Sequence, residues 1–196
     1  KFIFFIRYLF IIFFISTVLF VSLPIFFNYE KKAEIIKLHI LKNYNFKVIN
    51  YEKIKYNVVP IPNLELNNVQ LNFESSKENL SAKKIKIYLN FMNIYNYKNF
   101  NSNKITIQDG DIKFQASNFY YFSKYLFYQK NKLNINNLNL KVIDKNIPIV
   151  TLDNIKFANY GYNENLITGK IFGKNFKVNI DNNFKDINFK LLNSGI

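Results

Sequence analysis

An uncharged apolar stretch near the start of the chain, from Tyr8 to Phe27, limits what this protein can fold into more than any other feature. It reads YLFIIFFISTVLFVSLPIFF and contains no charged residue. Roughly 20 residues of helix, at about 1.5 Å of rise each, span about 30 Å, the thickness of the hydrocarbon core of a bilayer. A helix on the surface of a soluble protein would keep one polar face, and this stretch has none. It therefore predicts a membrane-spanning helix.

Two other interpretations of the stretch are less favoured. A cleaved signal peptide has a shorter apolar region and a small-residue cleavage site, whereas Pro24–Phe27 follows here. A buried globular helix would have to bury phenylalanine in every direction. Both flanks are basic, with Lys1 and Arg7 before the stretch and Lys31 and Lys32 after it, so the positive-inside rule alone does not set the orientation. Because almost no chain precedes the span, we expect a short cytoplasmic N-terminus and export of everything that follows.

The overall composition agrees with an exported, anchored domain. The chain has no cysteine, which excludes a disulfide framework, a thiol nucleophile and a cysteine-based metal site. The net charge is +14, but the lysines are scattered singly and form no dense stripe in the sequence. We therefore expect solvated strand faces that attract anionic lipid headgroups, and no nucleic-acid partner. Because the chain starts at Lys1 and stops in what reads as mid-strand, we expect a fragment of a longer protein.

The rest of the chain predicts a mainly β fold. The spacing of apolar residues in Glu30–Asn43 predicts an amphipathic helix, and from Phe46 onward the apolar period changes to two, which is typical of strands. Short helices are expected at Phe91–Tyr95 and Asn118–Tyr128. We expect a transmembrane anchor over residues 1–28, a juxtamembrane amphipathic helix over 29–44, and a curved antiparallel sheet or groove over 45–196.

Two places break the alternation of apolar and polar residues. At Asn67-Asn68 the parity shifts by one, which a β-bulge would absorb while keeping the apolar side chains on one face. At Asp109-Gly110 the sequence fits either a type I′ hairpin turn or a single long strand with a bulge. Both alternatives place Ile107 and Ile112 on the same face, so the sequence does not separate them.

The predicted sheet has more apolar surface than the predicted helices can cover. Nine or ten strands at about 4.8 Å spacing give a sheet roughly 45 Å wide. Two helices of about 10 Å diameter cover about half of one face. The uncovered part either closes over itself as a sandwich or barrel, or stays open as a gutter that binds more chain or an apolar ligand.

Three segments, taken in order, resemble the start of the AsmA-like envelope proteins. They are Pro60–Leu71, which reads P-x-P-x-L-x-L-x-x-V-x-L, then Ser81–Leu89, and then Asn103–Ile112, which contains I-x-I-x-D-G-x-I. They follow a membrane span and a short amphipathic helix, as in that family. The chain departs from the family pattern at Asn45-Phe46, where Thr-Gly usually stands, and near Met92, where a glycine is usual.

The resemblance implies a bacterial inner-membrane protein with a single span and a periplasmic β-groove. In such relatives the groove is thought to carry phospholipid acyl chains between envelope membranes or to support outer-membrane biogenesis. Membrane phospholipids and other envelope proteins are the implied partners. The alternative is a membrane-anchored scaffold that assists outer-membrane protein assembly through strand-edge contacts without binding lipid. The candidate groove residues, for which core packing is the alternative role, are Leu64, Leu66, Val69, Leu71, Ile85, Ile87, Leu89, Ile105, Ile107, Ile112 and Phe114.

An enzymatic function has little support in the sequence. The only histidine, His39, has no carboxylate or cysteine beside it on its predicted helix, so we expect a structural role. Asp109 and Asp111 straddle a predicted turn, where turn formation explains them better than cation binding does. We expect no catalytic residue, no metal site and no cofactor.

Overall fold

The computed structural model describes residues 2–73, 78–90, 95, 100–162, 164–180 and 187–193. Its three α-helices are α1 (Phe2–Ser22), α2 (Ala33–Tyr44) and α3 (Phe119–Tyr128). A 3₁₀ turn, Leu23–Phe26, continues directly from α1. The helix predicted at Phe91–Tyr95 lies outside the described residues apart from Tyr95, which is in a turn.

Ten strands are present in the described part of the chain, and together they form one sheet. They are β1 (Phe46–Asn50), β2 (Lys53–Asn57), β3 (Asn63–Phe73), β4 (Asn79–Leu89), β5 (Ser102–Gln115), β6 (Leu133–Asp144), β7 (Ile147–Ala158), β8 (Leu166–Ile171), β9 (Lys174–Ile180) and β10 (Ile187–Leu191).

The sheet is curved and does not close into a barrel, so the prediction of a mainly β, curved sheet with an N-terminal apolar helix is confirmed. Strands β3 to β10 follow one another in sequence order, while β1 and β2 lie end to end along the other side of β3. Neighbouring strands are antiparallel with one exception. Strands β5 and β6 are parallel, because the chain returns through α3 between them. The predicted antiparallel sheet therefore contains one parallel pair, β5 with β6.

The alternation of apolar and polar residues breaks at the same level in β3, β5 and β6. At Asn67-Asn68 the apolar side chains stay on one face as predicted, and Asn68 has a φ of 47°, but Asn67 and Val69 pair with Lys84 and Ala82 without the register shift of a β-bulge. Asp109 (φ 52°) and Asn137 (φ 64°) take the same left-handed conformation in β5 and β6. Segment 102–115 is therefore one long strand with a break at Asp109, which decides between the two alternatives left open by Asp109-Gly110. At Asn137 the register of β6 against β7 also shifts, and a bulge of this kind increases the local twist of a sheet and bends it.

Two helices cover the apolar face of the sheet on the side of β1, β3 and β5. Ile36, Ile40 and Tyr44 of α2 are buried in the hydrophobic core. The Phe122 ring of α3 lies 4.6 Å from the Phe114 ring of β5, measured between ring centroids, and Tyr125 lies 5.4 Å from Phe46. The core is therefore formed between these two helices and the first strands of the sheet.

The connection from α2 into β1 depends on one left-handed residue. Asn45 ends α2 with a φ of 53°, and its N–H bonds to the Leu41 carbonyl. Asparagine tolerates this conformation better than most residues, and glycine adopts it at no steric cost. Asn45 is therefore suited to the change of direction between α2 and β1.

Candidate functional site

The candidate groove residues lie in the core of the protein. All eleven are between 0 and 6 % exposed and belong to one hydrophobic cluster with the helices. In this structure they contact other side chains of the protein, so the apolar face over β3, β4 and β5 is closed. Those eleven residues are Leu64, Leu66, Val69, Leu71, Ile85, Ile87, Leu89, Ile105, Ile107, Ile112 and Phe114.

The same apolar face continues beyond the helices toward the last strands. Strand register aligns one apolar residue from each of nine strands into a single row, which crosses roughly 38 Å of sheet at about 4.8 Å per strand. We call it the apolar row. Its members, from β2 to β10, are Ile54, Leu66, Ile85, Ile107, Ile135, Phe157, Ile167, Val178 and Phe189.

Burial along the apolar row declines from one side of the sheet to the other. The six members from β2 to β7 are buried, Ile167 and Val178 are half-buried, and Phe189 is 47 % exposed. On β10 the apolar face includes Ile187, which is 65 % exposed, and Leu191, which is half-buried. We call the apolar surface of β8, β9 and β10 the open face.

Aromatic packing shapes the open face. The rings of Phe176 and Phe189 stack with their centroids 6.1 Å apart and an interplanar angle of 18°. Phe176 also lies against Gly169 of β8, where an added Cβ would come within 2.9 Å of the phenylalanine ring. The missing side chain at Gly169 thus makes room for Phe176, which is buried although its neighbours on the open face are not.

The open face was missed as a candidate site in the sequence. The signal was present, because Ile187, Phe189 and Leu191 alternate with polar residues in the same way as the residues that form the core. Alternation assigns side chains to a face, but it does not say how far two helices extend over that face. The exposed apolar surface was predicted on β3–β5, but in the structure it lies on β8–β10.

The opposite face of the same strands is polar and basic. The register places Lys156 of β7, Lys177 of β9 and Lys190 of β10 in one row, with Lys177 and Lys190 directly opposite each other. These lysines are far apart in the sequence, but the pairing of the strands places them in one row. Elsewhere on this face the Glu65 carboxylate forms ion pairs with Lys84 at 3.4 Å and with Lys86 at 3.9 Å.

A concavity of about 780 Å³ also lies on the polar face rather than on the apolar one. Strands β3 to β7 line it with polar and charged side chains, among them Lys113, Lys141 and Asp153. The Asn139 amide donates a hydrogen bond of 3.0 Å to Asp111 within it. Ile49 of β1 adds an exposed aliphatic side chain to the lining, but the polar and charged groups along most of it suit water and polar ligands better than a hydrocarbon chain.

His39 is buried beside Ser102 in an arrangement that fixes its tautomer. The Asn43 Nδ2 atom lies 3.0 Å from both the His39 carbonyl oxygen and His39 Nδ1, and because the carbonyl only accepts, this nitrogen donates to both. Nδ1 is then unprotonated, and Nε2–H donates to Ser102 Oγ at 2.8 Å. In this tautomer Nε2 cannot accept a proton from Ser102, so His39 does not act as a base toward it. The hydrogen bond instead links α2 to β5.

Comparison with protein-family models, with curated proteins and with solved structures finds no match to this chain. Within the described ranges no group of three or more histidine, cysteine, aspartate or glutamate side chains is placed to hold a metal ion. The helix that includes α1 is long and apolar enough to cross a membrane, by length and composition.

Proposed function

We propose that this protein is an inner-membrane-anchored, AsmA-like periplasmic protein that binds phospholipid acyl chains and takes part in phospholipid transport or outer-membrane biogenesis. The observation that carries the proposal is the apolar row, which continues past the helices, is half-buried at Ile167 and Val178 and becomes exposed at Phe189. A continuous exposed apolar surface is unfavourable in water and is typical of a binding surface.

The proposed binding requires no catalyst. Each methylene group that leaves water for the open face contributes about 0.8 kcal/mol, while the headgroup stays in solvent. Because the row joins a closed core on one side and an exposed surface on the other, acyl chains would lie on β8–β10 and not on the eleven buried residues. Within the described strands β10 pairs only with β9, so it stands at one end of the sheet.

Photo-crosslinking at adjacent residues of β10 tests the proposal. p-Benzoylphenylalanine is introduced in place of Phe189, on the open face, or in place of Lys190, on the polar face, in the full chain reconstituted into phosphatidylethanolamine and phosphatidylglycerol vesicles. We expect phospholipid adducts at position 189 and few at position 190. Equal labelling of the two positions, or none at position 189 in folded protein, would overturn lipid binding at the open face.

A transfer assay separates binding from transport. Phe189→Gln should slow the movement of a fluorescent phospholipid between donor and acceptor vesicles, because it removes apolar contact area. Lys190→Gln changes the neighbouring residue on the opposite face to the same side chain and should leave the rate unchanged. Lipid adducts without any protein-dependent transfer would support a lipid-binding protein that does not transport.

The second candidate function is a scaffold for outer-membrane protein assembly. The position of β10 favours it, because β10 is the last of the described strands in the sheet, and a strand at the edge of a sheet can add a strand from another protein. In this case crosslinks in cells from positions 189 and 190 would both join the protein to an envelope protein. Extraction of the purified protein with organic solvent would then release no phospholipid.

A further inference from the structure

The loop between β2 and β3 carries exposed apolar residues that the proposed lipid-binding face does not use. It joins Asn57 to Asn63, which are paired in register, and it contains Val59, Pro60 and Ile61. The Val59 side chain is 79 % exposed and the Ile61 side chain is 50 % exposed. Asn63 Nδ2 donates a hydrogen bond of 2.7 Å to the Ile61 carbonyl, so the loop turns a polar group inward while its aliphatic side chains point outward.

Hydrogen bonds along β2 fix the direction in which this loop points. Near the start of β2, the Ile54 N–H bonds to the Glu30 carboxylate at 2.8 Å. Two residues further on, the Tyr56 hydroxyl donates to the Val21 carbonyl in the last turn of α1 at 3.0 Å. As β2 advances from Ile54 to Tyr56, its partners move backward along the chain from beyond α1 into α1. Strand β2 therefore runs toward the apolar helix, and the loop that follows lies further in that direction.

The strand that leads into the loop packs beside an apolar and aromatic surface at the end of α1. Strand β2 packs against the 3₁₀ turn that follows α1, in which Leu23, Ile25 and Phe26 are exposed. The Tyr95 hydroxyl donates to the Phe20 carbonyl, and the Tyr95 ring contacts the rings of Phe20 and Phe27. Tyrosine is enriched where a membrane protein crosses from hydrocarbon to headgroups, with lysine just outside, as Lys31 and Lys32 are here.

We propose that the β2–β3 loop, through Val59 and Ile61, inserts into the interfacial region of the same bilayer that α1 spans. The inference rests on the membrane anchoring of the proposed function. With this insertion the protein contacts the bilayer at two sites, through the membrane-spanning helix and through the loop. A helix alone would let the sheet rotate about the span, whereas a second contact limits that rotation.

Tryptophan fluorescence tests the insertion directly, since the chain contains no tryptophan. Val59→Trp, Ile61→Trp, Phe26→Trp and Ile147→Trp are each reconstituted as the full chain in phosphatidylethanolamine and phosphatidylglycerol vesicles, with and without brominated acyl chains. Ile147 is the control position, because it lies at the far end of the sheet from α1. It pairs with Asp144, the last residue of β6, roughly 35 Å along that strand from its first residue, Leu133. Leu133 is at the level of Tyr56, through the register of Ile105, Ile87 and Leu64.

We expect blue-shifted emission that is largely lost with brominated lipid at positions 59, 61 and 26, and solvent-like, unquenched emission at position 147. Unquenched emission at positions 59 and 61 together with quenching at position 26 would overturn the loop insertion and leave the anchor intact. Unquenched emission at position 26 as well would overturn the anchoring itself, and the loop insertion with it.

Discussion

The hydroxyl of Tyr56 in β2 donates a hydrogen bond of 3.0 Å to the backbone carbonyl of Val21 in α1. The carbonyls in the last turn of a helix have no partner within the helix, so this contact satisfies one of them from the sheet. The Tyr56 ring also stacks on Tyr29 at 5.9 Å. Together these contacts fasten the apolar helix to the strand that lies beside it.

Tyr56→Phe should weaken this attachment while keeping the ring in place. We expect the free energy of unfolding to fall by about 1 kcal/mol, the usual net value of one hydrogen bond. Urea unfolding of the full chain in detergent micelles, followed by circular dichroism, measures the change. Tyr162→Phe, at a fully exposed tyrosine, is the matched control and should unfold like the unmodified protein. An equal effect of the two substitutions would mean that the Tyr56 hydroxyl adds no stability.

Two isoleucines at different distances from the helices distinguish a packed core from an exposed surface. Ile87 is fully buried, and Ile187 is largely exposed on β10. Ile87→Ala should cost about 2–5 kcal/mol through lost burial and the cavity left behind, whereas Ile187→Ala should change stability by about 0.5 kcal/mol or less. Urea midpoints of the two variants give the comparison. Tolerance of alanine at position 87 would show that the apolar face over β4 is not a packed core.

Burial of His39 makes the stability of the protein depend on pH. Desolvation lowers the pKa of His39 below its ordinary value of 6.5, and a hydrogen bond with the Phe100 backbone opposes this only in part. The folded state therefore binds its proton at a lower pH than the unfolded state does. The stability conferred by neutral His39 is present above pH 6.5 and is lost as the pH falls from there through the folded-state pKa.

We expect the free energy of unfolding to fall below pH 6.5 with a slope of up to about 1.4 kcal/mol per pH unit from this residue. His39→Gln replaces the imidazole with an amide that does not titrate and can still donate toward Ser102. The difference between the two urea-unfolding profiles from pH 7.5 to pH 5 isolates the contribution of His39. Profiles that stay parallel over this range would show that His39 is not held neutral by folding.

The faces of the strands could be predicted from the sequence because apolar alternation specifies them directly. The eleven candidate groove residues all fall on the face that forms the core. Strand direction left no such signal, since the same alternation fits parallel and antiparallel neighbours. The parallel pairing of β5 with β6 depends on α3 crossing between them, and nothing local in either strand encodes it. The extent of the open face depends on the same helix placement.

The sequence marks the places where the apolar alternation breaks, but only some of these marks led to a prediction. In β3 the pair Asn67-Asn68 separates two core residues by three positions instead of two, and this predicted the break. Asn136-Asn137 separates Ile135 from Leu138 in the same way and could have been predicted by the same rule. What the sequence does not contain is that these breaks lie at one level across the sheet, because that depends on register.

Asn137 in β6 gives a test of the left-handed conformation that these breaks require. Its φ is 64°, and its Nδ2 atom donates a hydrogen bond of 2.6 Å to the Asp109 carboxylate in β5. Asn137→Ala loses this hydrogen bond and still keeps a Cβ in a left-handed conformation, which costs about 1–2 kcal/mol. Asn137→Gly loses the same bond without that penalty, because glycine adopts a positive φ freely. We therefore expect the glycine variant to be the more stable of the two.

Asn139 is the matched control, because its Nδ2 atom donates a similar bond of 3.0 Å to Asp111 from the same strand, but its φ is not positive. At this position alanine should be tolerated better than glycine, by roughly 0.5–1 kcal/mol, as in an ordinary strand. Urea unfolding of the four variants would show an inverted order of alanine and glycine at positions 137 and 139. The same order at both positions would mean that β6 does not hold the left-handed residue that bends the sheet.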